Sequence, residues 1–294
     1  RRQRQMCIRD STNIDRIGRR LFRYPIYNFL KLFSTTNMPE ASDEPIDVII
    51  PIIAKDLLVL PLCIEGIKEN VLNKINAIYL VGPSDDRIIS FAKKNDLIYV
   101  EEDTVLGFGV KDINYITNKG ENRSGWLFQQ LIKLSGNIGQ CQNFVTIDSD
   151  HILINPHVFL TKDDTFIFYQ SEEFHWTYIK VIYQLIGVFA ITPLSYVSHK
   201  MIFNKEILVQ LKNIIEQRSG KKWTDTIISS LNRDDSSPFS EFELYANFVS
   251  SKKKKNKLWL QKTLYRATSI KLAELQNRYN DKLSVTYPEY LQIK

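Results

Sequence analysis

From Ile46 onward, short apolar runs alternate with helical stretches, and this alternation limits the chain to a small set of folds. A strand–helix–strand order is typical of a parallel sheet with helices on its faces. The sequence therefore predicts an α/β fold built on an open, mixed, mainly parallel sheet flanked by helices. The strand candidates are DVIIPII at 47–53, INAIYLV at 75–81 and LIYV at 97–100, with helix-like segments at 57–73 and 85–95 between them.

A fourth apolar run, NFVTI at 143–147, leads directly into Asp148-Ser149-Asp150. Ligands of open α/β sheets bind at the edge where the parallel strands end, so both carboxylates are expected at that edge. Two carboxylates at this spacing can share one divalent cation, and oxygen ligands suit Mg²⁺ or Mn²⁺. The alternative is a turn in which an Asp side chain caps the backbone.

The first 45 residues differ in composition from the rest and are read as an appendage and linker. Eight Arg against two Asp in residues 1–23 give +6, which equals the net charge of the whole chain. Charge confined to one arm argues against a nucleic-acid-binding domain. The stretch 14–33 mixes cations with aromatic and aliphatic side chains, as helices on anionic membrane surfaces do. Packing against its own domain or another subunit is the alternative.

Cysteine usage and hydropathy bear on the location of the chain. Cys7, Cys63 and Cys141 are widely spaced, which indicates neither a disulfide framework nor a zinc site. No apolar run reaches the roughly 18 residues of a membrane-spanning helix. We expect a cytoplasmic protein that lies peripherally on the inner face of a membrane. The chain has no initiator Met, which is expected of a piece cut from a longer protein.

The segment that begins at Arg123-Ser124-Gly125-Trp126 reads as the start of a helix whose polar residues repeat at helical spacing. Arg123 and Lys133 are candidates for phosphate contacts, because the guanidinium fork and a helix N-terminus both favour anions. Trp126 and Gln129 are candidates for an acceptor site. Packing in the core is the alternative for Trp126.

Five segments together carry a resemblance to a known class: DVIIPIIAKD, RSGWLFQQLIK, FVTIDSDHIL, VSHKMIF and SEFELYANFV. Their order resembles the GT-A glycosyltransferases, above all a set of bacterial and viral sugar transferases, over about residues 46–250. The resemblance implies a GT-A-like fold, hexosyl transfer, an Mn²⁺ or Mg²⁺ cofactor and a nucleotide-diphosphate-sugar donor, with UDP-sugars favoured. A glycan or glycolipid is the expected acceptor.

The resemblance also implies roles for individual residues. Asp148, Asp150 and His199 would hold the metal. Glu241 would be the general base of an inverting transfer, although a retaining reaction stays open. Ser240-x-x-Glu243 is a capping box, which explains Glu243 structurally, and Glu243 is also assigned to the acceptor site. Donor contacts are assigned to Pro51, Ile52, Lys55, Asp56, Ser84, Arg123, Lys133 and Ser149.

The expected organisation is one catalytic domain at 46–294, with a nucleotide-sugar half at 46–150, an acceptor half at 151–260 and a helical extension at 261–294. A haloacid-dehalogenase-type phosphatase is the main rival, because it also places D-x-D after an apolar strand. It needs a second acidic pair, for which Asp234-Asp235 is a poor candidate. A nucleotidyltransferase would need a Gly-rich loop after the first strand, and a non-catalytic binding module is the remaining rival.

Overall fold

The computed structural model of the chain describes residues 13–33, 37–173, 175–189, 192–252, 256–260, 263–264 and 271–287. The outer parts of both predicted terminal segments, 1–12 and 288–294, lie outside the described residues, as does 34–36 of the linker. The strands are β1 (Ile46–Pro51), β2 (Ile75–Gly82), β3 (Ile98–Glu101), β4 (Asn143–Ile147), β5 (His151–Leu153), β6 (Phe166–Gln170), β7 (Lys200–Asn204), β8 (Asn256–Leu260), β9 (Thr263–Leu264) and β10 (Ser284–Thr286).

The helices alternate with these strands over much of the chain. They are α1 (Asn13–Gly18), α2 (Tyr24–Phe33), α3 (Leu60–Asn70), α4 (Asp86–Lys94), α5 (Glu102–Leu106), α6 (Ser124–Ser135), α7 (Trp176–Ile186), α8 (Lys205–Ser219), α9 (Trp223–Ser230), α10 (Glu241–Ser251) and α11 (Leu272–Arg278). A π-helical turn, Arg19–Arg23, joins α1 to α2, and 3₁₀ turns occupy Ala54–Leu58 and Val110–Asp112.

The central sheet has five strands in the order β3-β2-β1-β4-β7. The first four are parallel, and β7 runs antiparallel to β4. This confirms the predicted fold class, a mixed and mainly parallel sheet with flanking helices. Strand order reverses between β1 and β4, which is the point where open α/β sheets form a ligand crevice. Both strands are buried along their whole length, as their apolar sequences require.

Antiparallel pairing of β7 brings His199 to the crevice. Ile147, the last residue of β4, pairs with Lys200, the first residue of β7. The backbone N–H of Asp148 then donates to the carbonyl of His199 at 3.0 Å. The segment that carries the D-x-D motif and the segment that carries His199 are therefore held side by side by sheet hydrogen bonds.

The C-terminal segment differs from the helical extension that we predicted. Within its described residues it contains one helix, α11, but also β9 and β10, which form a three-stranded sheet with β5. β10 pairs antiparallel with β5, and the N–H of Tyr287 donates to the carbonyl of Asp150 at 2.9 Å. This segment therefore braces the far side of the loop that carries the two carboxylates.

The N-terminal arm, defined as Asn13–Phe33, is docked on the domain through polar contacts. Asp15 accepts from the N–H of Trp176 at 2.7 Å, and Arg23 donates to the carbonyl of Glu173 at 3.0 Å. His175 lies between the carboxylates of Asp15 and Asp235, at 3.5 and 3.3 Å. Of the helices that the structure describes, none is both long and apolar enough to cross a membrane.

Titration of His175 should weaken the docking of the arm at alkaline pH. Burial lowers the pKa of His175, but Asp15 and Asp235 outweigh burial and raise the pKa to about 9. A raised pKa in the folded state adds stability that is complete below the unfolded value, about 6.5, and disappears as the pH rises through about 9. The melting temperature should therefore fall between pH 7 and pH 10 more steeply for the wild type than for His175→Gln. Parallel curves for the two proteins would contradict this reading.

Candidate functional site

Two carboxylates and one imidazole converge at the switch point between β1 and β4. Asp148, Asp150 and His199 each offer a ligand atom, and these atoms all lie within 4.8 Å of one another. His199 has a φ of +60°, a left-handed conformation that is uncommon for a residue with a side chain. Such backbone strain persists only where the surroundings enforce it, and it concentrates at functional sites.

Lys133 joins this cluster to Glu241. Its ammonium group, which is 2% exposed, lies 2.6 Å from Asp148 Oδ1 and 2.8 Å from Glu241 Oε1. His199 Nδ1 contacts the other oxygen of Asp148 at 2.8 Å. A carboxylate has about four lone-pair sites, so both Asp148 oxygens can still accept a further partner. The oxygen and nitrogen donors present fit a divalent cation such as Mn²⁺ or Mg²⁺.

The electrostatics of the cluster follow from burial and this shared cation. Burial would raise the pKa of Asp148, but Lys133 and His199 outweigh burial and lower that pKa below its ordinary value. For Lys133 the two carboxylates outweigh burial and raise the pKa. The pKa of Glu241 is raised, because its burial is only partly offset by Lys133. Of the two carboxylates that Lys133 contacts, Asp148 therefore stays ionised to lower pH than Glu241.

A cavity of about 390 Å³ opens in front of the carboxylates. Besides Asp148, eight of the residues predicted for the site line it, and they come from the ends of β1 and β4 and from the first half of α6. In the cavity wall Ser149 donates to Asp56 Oδ2 at 3.1 Å, and the guanidinium carbon of Arg123 lies 4.8 Å from the centre of the Trp126 ring. The eight are Pro51, Lys55, Asp56, Arg123, Trp126, Gln129, Ser149 and Asp150.

Asp148 also lines the cavity, whereas six other predicted site residues do not. Glu243 is turned into the protein, where its carboxylate accepts from Ser195 Oγ at 2.5 Å and from the Tyr196 N–H at 3.0 Å. The predicted capping box is only half formed: Ser240 accepts from the Glu243 N–H as an N-cap, but the described partners of the Glu243 carboxylate do not include the Ser240 N–H. Ser84 is exposed and does not line the cavity. The six residues absent from the lining are Ile52, Ser84, Lys133, His199, Glu241 and Glu243.

Five lining residues were not assigned to the site from the sequence: Ile53, Glu102, Val110, Asn122 and Gly125. Glu102 had a signal, because it directly follows β3 at the same sheet edge as the D-x-D motif. The other four lie in loops, in a 3₁₀ turn or at a helix start, where no periodic pattern indicates which residues face a ligand.

The chain is thus an α/β protein with a cluster of two carboxylates and one imidazole at the sheet edge where ligands of such folds bind. The profile of a family of unknown function, DUF6492, matches residues 44–289, and the chain belongs to this family. No curated protein matches the sequence.

Three solved structures show a weak likeness to the chain. Mouse xyloside xylosyltransferase 1 in its apo form is 8% identical, over 85% of this chain and 100% of that one, with a TM-score of 0.44. Glucosyl-3-phosphoglycerate synthase from Mycobacterium tuberculosis with Mn²⁺, UDP and phosphoglyceric acid is 13% identical, over 77% and 75%, at 0.38. The same synthase with Mn²⁺, UDP and glucosyl-3-phosphoglycerate is 16% identical, over 56% and 58%, at 0.30. At these scores, function has to be inferred from this chain's own residues.

Replacement of Lys133 by Met should destabilise the protein in a way that a divalent cation reverses. The change leaves Asp148 and Glu241 without their shared cation, which should cost about 3 kcal/mol of unfolding free energy. Excess Mn²⁺ should restore more stability in Lys133→Met than in the wild type, because it supplies positive charge next to Asp148. Urea unfolding with Mn²⁺ or with EDTA measures both effects.

Lys212→Met is the matched control, because Lys212 also donates to α6, at the carbonyl of Ser135, but pairs with neither Asp148 nor Glu241. It should lose little stability and show no special response to Mn²⁺. An equal Mn²⁺ response in all three proteins would argue against a metal at Asp148.

Proposed function

We propose that this chain is a metal-dependent glycosyltransferase that takes a nucleotide-diphosphate-sugar, with UDP-sugars favoured, and transfers the sugar to a hydroxyl of a glycan or glycolipid. The observation that carries the proposal is the cluster of Asp148, Asp150 and His199 at the switch point, beside a cavity of about 390 Å³. Every residue lining that cavity falls within 46–150, the segment predicted as the nucleotide half. The segment 151–260 is proposed as the acceptor half.

The charges of the site suit a diphosphate. A divalent cation bound by Asp148, Asp150 and His199 would neutralise the charge of the departing nucleoside diphosphate. The cations Lys55 and Arg123 line the same cavity and are proposed to contact phosphate oxygens. Lys133 contacts the two carboxylates instead, so its proposed contribution is to hold Asp148 in place.

Glu241 remains our predicted base, and its position sets a condition on the reaction. It is 1% exposed and lies behind Lys133, outside the cavity lining. Glu241 therefore takes the acceptor proton only if the acceptor enters beside Lys133. A retaining reaction needs no base there, so the anomeric configuration of the product and the turnover of Glu241→Gln together decide between the two mechanisms.

The contacts of the second acidic pair, Asp234-Asp235, argue against the phosphatase alternative. Asp234 accepts from Asn118 at 2.6 Å, and Asp235 accepts from Thr177 at 2.8 Å and pairs with His175. Neither belongs to the cluster of Asp148, Asp150 and His199. The nucleotidyltransferase alternative lacks its loop, because the 3₁₀ turn after β1, Ala54–Leu58, contains no glycine.

Nucleotide binding should depend on the metal and on Asp150. Thermal-shift measurements with UDP, GDP and CMP and their sugars, each with Mn²⁺ and with EDTA, should show stabilisation only with the metal, because a ligand of the native state raises the melting temperature by mass action. Asp150→Asn should abolish the shift, whereas Asp43→Asn, at an exposed carboxylate elsewhere, should retain it. Absence of any shift in the wild type would contradict the proposal. Metal-dependent hydrolysis of the stabilising nucleotide-sugar then separates an enzyme from a binding module.

The N-terminal arm is proposed to lie on an anionic membrane surface, from the cytoplasmic side. Several large apolar side chains of the arm are exposed although the arm is docked, among them Leu21 at 62%, Phe22 at 64% and Leu32 at 79%. Arg20 and Lys31 are exposed on the same arm. Exposed apolar side chains beside cations match an interfacial helix, and such a surface would bring the enzyme to a lipid-linked acceptor.

Removal of two apolar side chains from the arm should weaken membrane binding. Phe22→Ser with Leu32→Ser should reduce cosedimentation with anionic phosphatidylglycerol vesicles several-fold, because less apolar area enters the interface. Leu72→Ser with Val209→Ser, at exposed positions outside the arm, should leave binding unchanged. If the wild type does not cosediment with vesicles but forms oligomers, and the arm variant is monomeric, the arm is a subunit contact and the membrane proposal is wrong.

A further inference from the structure

Glu102 is a buried carboxylate in the wall of the cavity. It directly follows β3 and is 8% exposed, and it lines the same cavity as Asp148 and Asp150. Burial, with a smaller contribution from Asp103, raises the pKa of Glu102 to about 7. At mildly alkaline pH the side chain is therefore ionised while largely removed from water.

Nothing in the described part of the chain compensates this carboxylate. Among those residues, no hydrogen bond or ion pair reaches the Glu102 carboxylate, and neither contribution to its pKa comes from a cation or a donor. Other buried acids are served by the fold: Asp47, for example, accepts from the N–H groups of Gln140 and Cys141. Because this carboxylate has little access to water, lines the cavity and has no partner in the described protein, a donor on a ligand in the cavity is its natural partner.

The position of Glu102 fits one end of a nucleoside diphosphate. The sheet order β3-β2-β1-β4 places the end of β3 three strands from the end of β4. At about 4.8 Å per strand, this separation is about 14 Å. With the diphosphate at Asp148 and Asp150, an extended nucleotide that crosses β1 and β2 brings its base to Glu102.

The chemistry of a carboxylate then selects among bases. An ionised carboxylate only accepts hydrogen bonds. At the centre of their pairing edge, uracil and guanine present a ring N–H, whereas cytosine and adenine present a bare ring nitrogen that accepts. Cytosine and adenine donate only from the exocyclic amino group beside it, so a carboxylate aligned with the ring nitrogen favours uracil and guanine. We propose that Glu102 accepts a hydrogen bond from the ring N–H of the donor's nucleobase, so that the site takes uridine or guanosine diphosphates and rejects cytidine and adenosine diphosphates. This inference rests on the proposed function.

Calorimetric titration tests the inference at pH 8 with Mn²⁺, using UDP, GDP, CDP and ADP as probes. The wild type should bind UDP or GDP about 10- to 100-fold more tightly than CDP and ADP, and the better of the two identifies the donor's nucleotide. Glu102→Gln should close most of this gap, because an amide both donates and accepts. Glu101→Gln, at the exposed neighbouring carboxylate, should retain the difference in affinity between the two pairs of nucleotides.

The possible outcomes distinguish the role of Glu102 from the proposed function. A wild type that binds none of the four nucleotides overturns the proposed function and this inference together. A wild type that binds nucleotide but does not discriminate, or a gap that survives in Glu102→Gln, overturns only the role of Glu102. Glu102→Gln should melt at or above the wild-type temperature, because it removes an uncompensated buried charge. Glu102→Ala removes the hydrogen-bonding group altogether, and it should also lose the preference among the four nucleotides.

Discussion

The buried ammonium of Lys133 is the contact on which the geometry of the site depends. It lies on α6, and its partners are Asp148 at the end of β4 and Glu241 at the start of α10. Two carboxylates this close in a dry environment repel each other, and one cation between them offsets that repulsion. Because three elements meet on one nitrogen atom, α6 and α10 fix the position of Asp148 as firmly as β4 does. The second oxygen of Asp148 is held by His199, so the whole carboxylate is oriented by the fold.

Much of the fold could be predicted from hydrophobic periodicity. The four parallel strands and the helices α3 and α4 fall within a few residues of their predicted bounds, because apolar runs of strand length favour a sheet that helices cover. The rule that ligands bind where parallel strands end predicted Asp148 and Asp150 at one edge of the sheet, and both line the cavity at that edge. Periodicity and topology thus carried the prediction as far as the location of the site.

Side-chain partners could not be predicted in the same way. The spacing on α6 indicated that Lys133 is a polar residue of a helix, but its partners lie 15 and 108 residues away. Ser240 caps α10 as predicted, but the Glu243 carboxylate does not complete the capping box and accepts instead from Ser195, 48 residues earlier. The three-residue strand β10 is too short to leave a period-two pattern, so its pairing beside Asp150 gave no sequence signal. All of these contacts depend on how distant segments pack.

Asp148 and Glu102, two acidic residues of the cavity, differ in how the protein compensates their charge. Asp148 is served by Lys133 and His199 before any ligand arrives, so the diphosphate end of the proposed site is preorganised. Glu102 has no such partner in the described chain, so the other end is completed only by what binds there. On the proposed function, binding of the diphosphate and choice of the base are therefore governed by residues at opposite ends of one sheet edge. Substitutions at Glu102 can then change the nucleotide that is accepted without disturbing the charge network that holds the metal ligands.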